Sequence, residues 1–309
     1  MFVCASLFGV RAFADDKNDF ERSVEFGVQS LKAQVQGEMT GGFSEKTFKT
    51  VANPTGHGKG FIKKSVPGVD RKTFRDSTAG IPDKLDLRGS LTQVEDQGMC
   101  GSCWAFSLTA THRDGHAAGG KDPGRLSQEW LVEHSPEASG CDGGYFDSAN
   151  DFIKPKGQPL WEDCPYASGS GKCSAGLTPA AHITAWHMLG DDKGPTTQDI
   201  ETYMASSRKP ISISVAAGTG NWMSYGGGVY NACKTGQEDH MINIVGWDNE
   251  GATFDAKGDL PPGKGIWILR NSWGTSWGES GYMRTKMTDA KGNKCNNVAG
   301  EAAYFDFGD

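Results

Sequence analysis

The number of cysteines in this chain suggests that one of them has a free thiol. The 309 residues include eight cysteines, and Cys4 lies in a short apolar N-terminal segment that we expect to be removed. In an oxidising compartment the remaining seven would form up to three disulfides and leave one free thiol. A free thiol there is either an intermolecular link or a reactive group. The seven are Cys100, Cys103, Cys141, Cys164, Cys173, Cys233 and Cys295.

Cys103 lies where the sequence predicts the start of a helix. Gly98 and Gly101 suit a tight turn before it, and Leu108 and Ala110 continue an apolar pattern after it. A cysteine thiol with a pKa near ~8.5 is only a few per cent thiolate at neutral pH, but a helix N-terminus and a protonated imidazole both favour the anion. In that setting Cys103 would be a nucleophile that attacks a carbonyl carbon.

His240 and Asn271 are the candidates for its acid/base partner and for the support of that partner. His240 precedes an apolar β pattern at 241–247, and Asn271 follows another at Gly265–Arg270. The histidine would donate a proton to the leaving amine and later activate water. Asn271 would accept a hydrogen bond from the other ring nitrogen and hold the ring, with Trp273 covering that contact from water.

Two runs of sequence carry a family resemblance. The first, from Gln97 to Phe106, reads Gln-Gly-Met-Cys-Gly-Ser-Cys-Trp-Ala-Phe and resembles the active-site signature of papain-like, cathepsin-type cysteine peptidases. The second, Ile-Trp-Ile-Leu-Arg-Asn-Ser-Trp-Gly at 266–274, resembles the asparagine-bearing segment of the same family. The resemblance covers essentially all of 81–309. It implies an endopeptidase that forms an acyl-enzyme on Cys103, with the Gln97 side chain and the Cys103 backbone N–H as donors to the oxyanion.

The resemblance also implies a fold. We expect an α+β, papain-like fold of two subdomains: a helical left half that carries Cys103, and a twisted antiparallel β right half that carries His240 and Asn271. The active-site cleft would lie between the halves. The sequence pattern agrees, since β-rich runs at 208–217, 241–247 and Gly265–Arg270 come late in the chain.

The spacing of the candidate residues predicts an enlarged loop. His240 lies 137 positions after Cys103, within the ~130–150 typical of the family, whereas Asn271 lies 168 positions after it. The polar segment 248–264 accounts for the excess as a long hairpin loop. Its acidic residues are compatible with a calcium loop, but their spacing matches no EF-hand and a solvated loop is favoured. They are Asp248, Asp255 and Asp259.

Substrate-binding residues are assigned mainly by resemblance. Gly143 and Gly144 lack side chains and would let a substrate backbone pair alongside them, and we also assign Trp273 to the substrate-binding surface. Glu301 lies near the floor of the pocket for the side chain two residues before the scissile bond. If Glu301 points inward, Arg and Lys would be accepted; if it faces solvent, only apolar side chains would be. The pocket itself would be lined by Tyr145, Phe146, Ser214 and Met241.

The resemblance implies two disulfides, Cys100 with Cys141 and Cys233 with Cys295. The first cysteine of a third cross-link usual in the family aligns with His134, which would leave Cys173 without its usual partner. Cys164 lies nine residues away, so we predict a local bond between Cys164 and Cys173.

The chain divides into three expected regions. Residues 1–14 read as a signal peptide, with an uncleaved apolar N-terminus as the alternative. Residues 15–80, which include an amphipathic helical pattern at Asn18–Gln36 and an extended, protease-accessible stretch at Gly41–Gly80, read as a short propeptide; the alternative is a linker or small subdomain. Residues 81–309 form the peptidase domain.

Charge bears on the partners. Residues 15–80 carry 11 basic and 9 acidic side chains, whereas 81–309 carry 19 and 29, a net charge of −10. Such a body would repel nucleic acid and attract a cationic prosegment. We therefore expect polypeptide substrates, the chain's own propeptide as an inhibitor, a monomer, no membrane association after signal removal, no metal and no cofactor. The expected location is secreted or another lumenal, periplasmic or vacuolar oxidising compartment.

Three other interpretations stay open. A catalytically silent binding homologue of the same fold would differ only in activity. A transpeptidase would pass the acyl group to an amine instead of water. Cys100 and Cys103 also form a Cys-x-x-Cys, which is compatible with a redox site or half a zinc site, but no second such pair accompanies it.

Overall fold

The computed structural model describes residues 49–50, 57–74 and 80–308. The expected signal segment and the expected helix at Asn18–Gln36 lie outside these residues. Within these residues, the region that carries the family resemblance, 81–308, has most of its helices early and most of its strands late in the chain.

Four α-helices occur in the described residues: α1 is Cys103–Ala118, α2 is Gln128–His134, α3 is Phe146–Lys156 and α4 is Thr197–Ser207. Local capping explains where two of them begin. The Ser127 hydroxyl accepts the Trp130 N–H at the start of α2, and Thr196 and Asp199 form a reciprocal capping box at the start of α4.

The strands form a nine-stranded sheet and a separate short ribbon. The strands are β1 Lys49–Thr50, β2 Arg71–Lys72, β3 Lys84–Asp86, β4 Ala185–Leu189, β5 Ile211–Val215, β6 Tyr225–Gly227, β7 Val229–Tyr230, β8 His240–Asp248, β9 Ile266–Arg270, β10 Tyr282–Lys286 and β11 Ala302–Asp306. The order in the sheet is β2-β4-β11-β5-β8-β9-β10-β7, with β3 also paired to β8, and the ribbon pairs β1 with β6. Most pairs are antiparallel, but β2–β4 and β10–β7 are parallel.

Two main hydrophobic cores give the molecule two halves. One surrounds α1–α3 and includes Trp104, Leu131 and Phe146. The other lies against the late strands and α4 and includes Ile213 and Trp247. The expected two-subdomain α+β fold is confirmed.

Helix α1 is the element that joins the halves. The Ser107 hydroxyl donates to the carbonyl oxygen of Ile242 at 2.7 Å, and the Asn243 side chain donates to the Ser107 carbonyl at 3.0 Å, so α1 packs directly on β8. A buried ion pair between Arg270 and Asp114 adds a link from β9 to α1. Because Cys103 begins α1 and His240 begins β8, this packing brings the two candidate reactive residues to one place.

The loop between β8 and β9 spans the region that the spacing predicts to be enlarged. Its acidic side chains serve the protein itself: Asp259 accepts the backbone N–H of Thr197 at the start of α4, Asp255 accepts the N–H of Lys257, and Asp248 pairs with Lys84. Among the described residues no cluster of His, Cys, Asp and Glu is arranged to hold a metal ion.

Within the described residues three disulfides are present, between Cys100 and Cys141, Cys164 and Cys173, and Cys233 and Cys295. These are the pairs that the sequence analysis expects. The His134 ring contacts the carbonyl oxygen of Cys173 at 3.1 Å, so it lies beside the local disulfide. Among the described cysteines, Cys103 alone is free.

Candidate active site

Asn271 holds His240 in one orientation. The Nε2 atom of His240 lies 2.8 Å from Oδ1 of Asn271, and the same oxygen accepts the backbone N–H of Ser272 at 2.8 Å. Because a carboxamide oxygen can only accept, Nε2 must carry the proton and donate it. Nδ1 is therefore the basic nitrogen of the neutral ring, and it is buried without a hydrogen-bond partner among the described residues.

Trp273 covers this pair. Its ring stacks on the His240 ring with 4.8 Å between centroids, and it is fully buried. It therefore shields the contact between His240 and Asn271 from water, as the sequence analysis expects.

Cys103 and His240 are both fully buried in this state. Burial raises the pKa of the Cys103 thiol to about 12, against backbone hydrogen bonds that favour the thiolate. Burial likewise lowers the pKa of His240 to about 4, although the bond to Asn271 favours the charged ring. Burial therefore favours the neutral thiol and the neutral imidazole while the site is covered.

Gln97 lies beside the cysteine loop with its amide fully engaged. Its Oε1 accepts the Ser272 hydroxyl at 2.6 Å, while its Nε2 donates to the carbonyl oxygens of Cys100 at 2.8 Å and Gly58 at 3.0 Å. The amide is thus oriented with its N–H groups toward the cleft, where a carbonyl oxygen from another segment already sits.

That other segment is residues 57–62, which lie across the site and which we call the covering segment. The backbone N–H of Gly60 donates to Sγ of Cys103 at 3.2 Å, and the N–H of Phe61 donates to the carbonyl oxygen of Asp239 at 3.1 Å. Gly144 accepts the N–H of Ile62 and donates to the carbonyl oxygen of Gly60, in a parallel bridge. Gly144 thus pairs with an extended backbone, although the backbone is one from the same chain.

The expected accessibility of this stretch is wrong at its centre. Residues 57–62 are extended, but Gly58, Gly60 and Phe61 are buried. Close packing of the backbone is the reason. A Cβ on Gly58 would lie 2.0 Å from the carbonyl oxygen of Cys100, and one on Gly60 would lie 1.7 Å from that of Gly101. Only glycine allows the segment to lie this close to the cysteine loop.

Phe61 fills the pocket expected for a substrate side chain. Its ring lies 5.5 Å from that of Tyr145 and 5.9 Å from that of Phe146, and it shares a hydrophobic cluster with Met241. A buried apolar side chain therefore occupies a site lined by three of the expected residues. Gly143 lies alongside, since a Cβ on it would meet the Gly60 carbonyl oxygen at 2.7 Å.

Ser214 and Glu301 lie at one end of this pocket. The Ser214 hydroxyl accepts the backbone N–H of Glu301 at 2.9 Å, and the Tyr145 hydroxyl donates to Oε1 of Glu301 at 2.8 Å. Oε2 of Glu301 is buried without a hydrogen-bond partner among the described residues. The Glu301 carboxylate is thus turned inward, not fully solvated.

Three lysines in the covering segment or directly after it pair with acidic side chains of the body. Lys59 pairs with Asp239 at 3.0 Å, Lys63 with Glu238 at 2.9 Å and Lys64 with Asp147 at 2.8 Å. Sequence reasoning did not identify these acids individually. The signal that pointed to them is the contrast between the cationic 15–80 and the acidic 81–309.

The Cys-x-x-Cys alternative is not supported, because Cys100 is bonded to Cys141 and Cys103 is left single. Of the other histidines in the described residues, His112 and His116 contact each other away from the cysteine, and His57 stacks on Trp273 from within the covering segment. No helix of the described part of the chain is both long and apolar enough to cross a membrane.

Comparison with known proteins agrees with this geometry. A profile of the family described as "Papain family cysteine protease" matches residues 81–305. The thiol protease SEN102 of Hemerocallis sp. is 35% identical over 250 residues, which is 78% of this chain and 65% of that protein. The chain thus spans just under two thirds of the length of the first curated relatives that it matches.

Two solved structures are also similar. Bromelain from Ananas comosus in complex with the E64 inhibitor matches with a TM-score of 0.60 and 29% identity, over 74% of this chain and all of that one. A recombinant stem bromelain precursor matches with a TM-score of 0.68 over 97% of this chain and 95% of that one. At 24% identity the second likeness shows the shared fold.

Proposed function

Because this chain belongs to the papain family of cysteine proteases, we propose that residues 81–309 are a cysteine endopeptidase, made as a zymogen with residues 15–80 as its propeptide and 1–14 as its signal peptide. The observation that carries the proposal is the bond from Nε2 of His240 to Asn271, beside Cys103, which is free and contacts the backbone of Met241, the residue after His240. It fixes an imidazole with its basic nitrogen available for a thiol.

The proposed reaction begins with proton transfer from the thiol of Cys103 to Nδ1 of His240. The thiolate attacks the carbonyl carbon of the scissile bond, and the oxyanion accepts hydrogen bonds from Nε2 of Gln97 and the backbone N–H of Cys103. His240 then gives its proton to the leaving amine, so the C–N bond breaks and a thioester remains. Water, deprotonated by His240, attacks the thioester, and the thiol leaves with the acid as product.

Autoinhibition follows from what residues 57–62 present to these groups. The Gly58 carbonyl oxygen takes a hydrogen bond of Gln97, while the atom on Sγ of Cys103 is the N–H of Gly60. The N–H group has no electrophilic carbon that Sγ of Cys103 could attack. Residues 57–62 therefore occupy the site without presenting a scissile carbonyl group to the sulfur. Phe61 excludes a substrate side chain from the pocket, and the three lysine pairs add electrostatic attraction.

Specificity follows from the pocket around Phe61. Tyr145, Phe146 and Met241 favour an apolar side chain two residues before the scissile bond, and the inward carboxylate of Glu301 would also accept Arg or Lys. We propose that the enzyme acts as a monomer in a secreted or lumenal compartment. Three disulfides support an oxidising environment.

The experiment is cleavage of a panel of fluorogenic peptides by the acid-activated protein under mild reductant. Cys103→Ala, His240→Ala and prior alkylation with iodoacetamide or an epoxide should each abolish activity. His182→Ala, a change of an exposed histidine, is the matched control and should keep it. Absence of activity after verified removal of 15–80 would favour the silent homologue, and amide products formed with an added amine would favour the transpeptidase.

A further inference from the structure

A second part of the proposed propeptide is held away from the cleft. Residues 69–74, which we call the anchor segment, contain strand β2 and lie at the edge of the nine-stranded sheet. The backbone N–H of Met188 donates to the carbonyl oxygen of Asp70 at 2.9 Å, and that of Gly190 donates to Lys72 at 2.7 Å. The anchor segment therefore adds a parallel strand to β4.

Side chains fix the register of this added strand. The His187 ring lies between two carboxylates, with Nδ1 2.8 Å from Asp70 and Nε2 2.8 Å from Asp306 on β11. Arg71 pairs with Asp192 at 3.3 Å. Through His187, which lies on β4 and also contacts Asp306 on β11, the anchor segment is joined to two strands of the sheet.

Phe74 completes the anchor in an aromatic site. Its ring lies 5.9 Å from that of Tyr203 and 6.0 Å from that of Tyr304, and its backbone N–H donates to Oδ1 of Asp199 at 2.6 Å. Tyr203, Tyr304 and Asp199 are all buried. The site thus combines an apolar wall with a fixed acceptor for the peptide backbone.

The anchor and the cleft are separate sites. Between them, residues 63–68 run along a cavity of about 640 Å³ that extends from Tyr145 and Glu301 to Arg71 and Met188. The aromatic rings that hold Phe61 differ from those that hold Phe74, so the two side chains are bound by different surfaces of the body.

We propose that the mature enzyme carries a second peptide-binding site at the edge of β4, and that its ligand is the anchor segment of its own cut propeptide. This inference rests on the proposed function and on the proposed boundary near residue 80. A cut there lies after Phe74, so every contact of the anchor segment remains on the excised fragment. Cutting and activation are then separate events, because the fragment stays bound at the anchor site, at the cleft and at the β1–β6 ribbon until it dissociates.

The site recognises an extended peptide with a carboxylate followed, four residues later, by an aromatic ring. The backbone N–H groups of Met188 in β4 and of Gly190 just after it provide the pairing. His187 contacts the carboxylate, and Tyr203 and Tyr304 hold the ring. Once β2 leaves, β4 becomes an edge strand with unpaired donors, which favours the addition of another strand.

The test uses a fluorescein-labelled peptide of residues 67–74, which is too short to place Phe61 in the cleft. Anisotropy is measured with enzyme matured from the full chain and alkylated at Cys103, so that the peptide is not digested. We expect saturable binding. The Phe74→Ala peptide should bind at least tenfold more weakly, and the matched Thr73→Ala peptide should bind like the parent.

The uncut chain provides a further comparison. Its site is filled, so it should bind the labelled peptide at least tenfold more weakly than the mature enzyme, and Phe74→Ala in the uncut chain should restore part of the binding. Failure of the mature enzyme to bind, equal binding of the Phe74→Ala peptide, or displacement by a cleft inhibitor would overturn the inference. Anisotropy does not depend on turnover, so an inactive protein that binds the peptide contradicts only the proposed function, and an active one that does not bind it contradicts only this inference.

Discussion

The side chain of Gln97 donates a hydrogen bond to the carbonyl oxygen of Gly58 at 3.0 Å. The group proposed to stabilise the oxyanion is thus already bound to a carbonyl of the same chain. Substrate and covering segment compete for one donor, so changes on either side of this bond should alter latency and catalysis in predictable directions.

Gly58→Ala should weaken latency. The new Cβ would lie 2.0 Å from the carbonyl oxygen of Cys100, so the segment must move off the cysteine loop. We expect iodoacetamide to alkylate Cys103 in the uncut chain at least tenfold faster. Gly176→Ala is the matched control, since its nearest neighbour is 4.0 Å away. Equal alkylation rates in the wild type and Gly58→Ala would contradict the packing argument.

Gln97→Ala should impair turnover in the matured enzyme. Loss of one oxyanion donor costs about 10²–10³-fold in kcat in enzymes that use such a site, with a smaller effect on KM. Steady-state kinetics on a fluorogenic peptide measure both constants, and thermal unfolding checks that the variant is folded. A kcat within threefold of wild type would remove Gln97 from the proposed mechanism.

Glu301→Gln should lower the preference for Arg over Leu two residues before the scissile bond, by about tenfold in kcat/KM. Burial raises the pKa of Glu301, so the wild-type preference for Arg should increase with pH as this carboxyl ionises. The exposed Glu137→Gln provides the control. An unchanged ratio across pH would mean that the pocket selects apolar side chains only.

Glu201→Gln should stabilise the protein at neutral pH. Burial raises the pKa of Glu201 to about 8, although a bond from Asn249 favours the charged form. As pH rises above about 4.5 the unfolded chain loses this proton first, so the wild type loses stability up to about pH 8. We expect urea unfolding to show a gain of about 4 kcal/mol at pH 7.5 and none at pH 4. The exposed Glu162→Gln should show no such difference, and an equal gain at both pH values would contradict the titration argument.

Replacing Cys164 and Cys173 together with Ala should destabilise the protein. Their bond closes a loop with a sequence separation of nine, for which chain entropy gives about 2–3 kcal/mol. Urea unfolding of the double variant measures the loss. Peptide mapping that finds either cysteine alkylated without reduction would contradict the pairing itself.

The residues proposed for catalysis could be predicted because each sits at a recognisable boundary. Cys103 begins a helix, His240 begins a strand and Asn271 follows one, and α1 packs on β8 where these boundaries meet. The enlarged loop was also predictable, because the spacing from Cys103 to Asn271 measured its excess directly.

The contacts of residues 57–74 could not be read from sequence. Strand β2 has only two residues, so it leaves no alternating pattern, and its parallel pairing with β4 joins positions 117 apart. Phe61 and Phe74 look like isolated apolar residues because each fits a pocket on another part of the chain. Gly58 and Gly60 read as generic flexible positions until the carbonyl oxygens beside them are known.

The Trp273 ring stacks on two histidine rings, with centroid distances of 4.8 Å to His240 and 4.9 Å to His57 of the covering segment. Departure of the segment would remove the His57 ring and expose the part of the indole that it covers, while the His240 ring stays in place. The uncut chain therefore contains an intrinsic fluorophore at the proposed point of activation. A red shift of tryptophan emission would follow uncovering in real time, without a substrate or an added label.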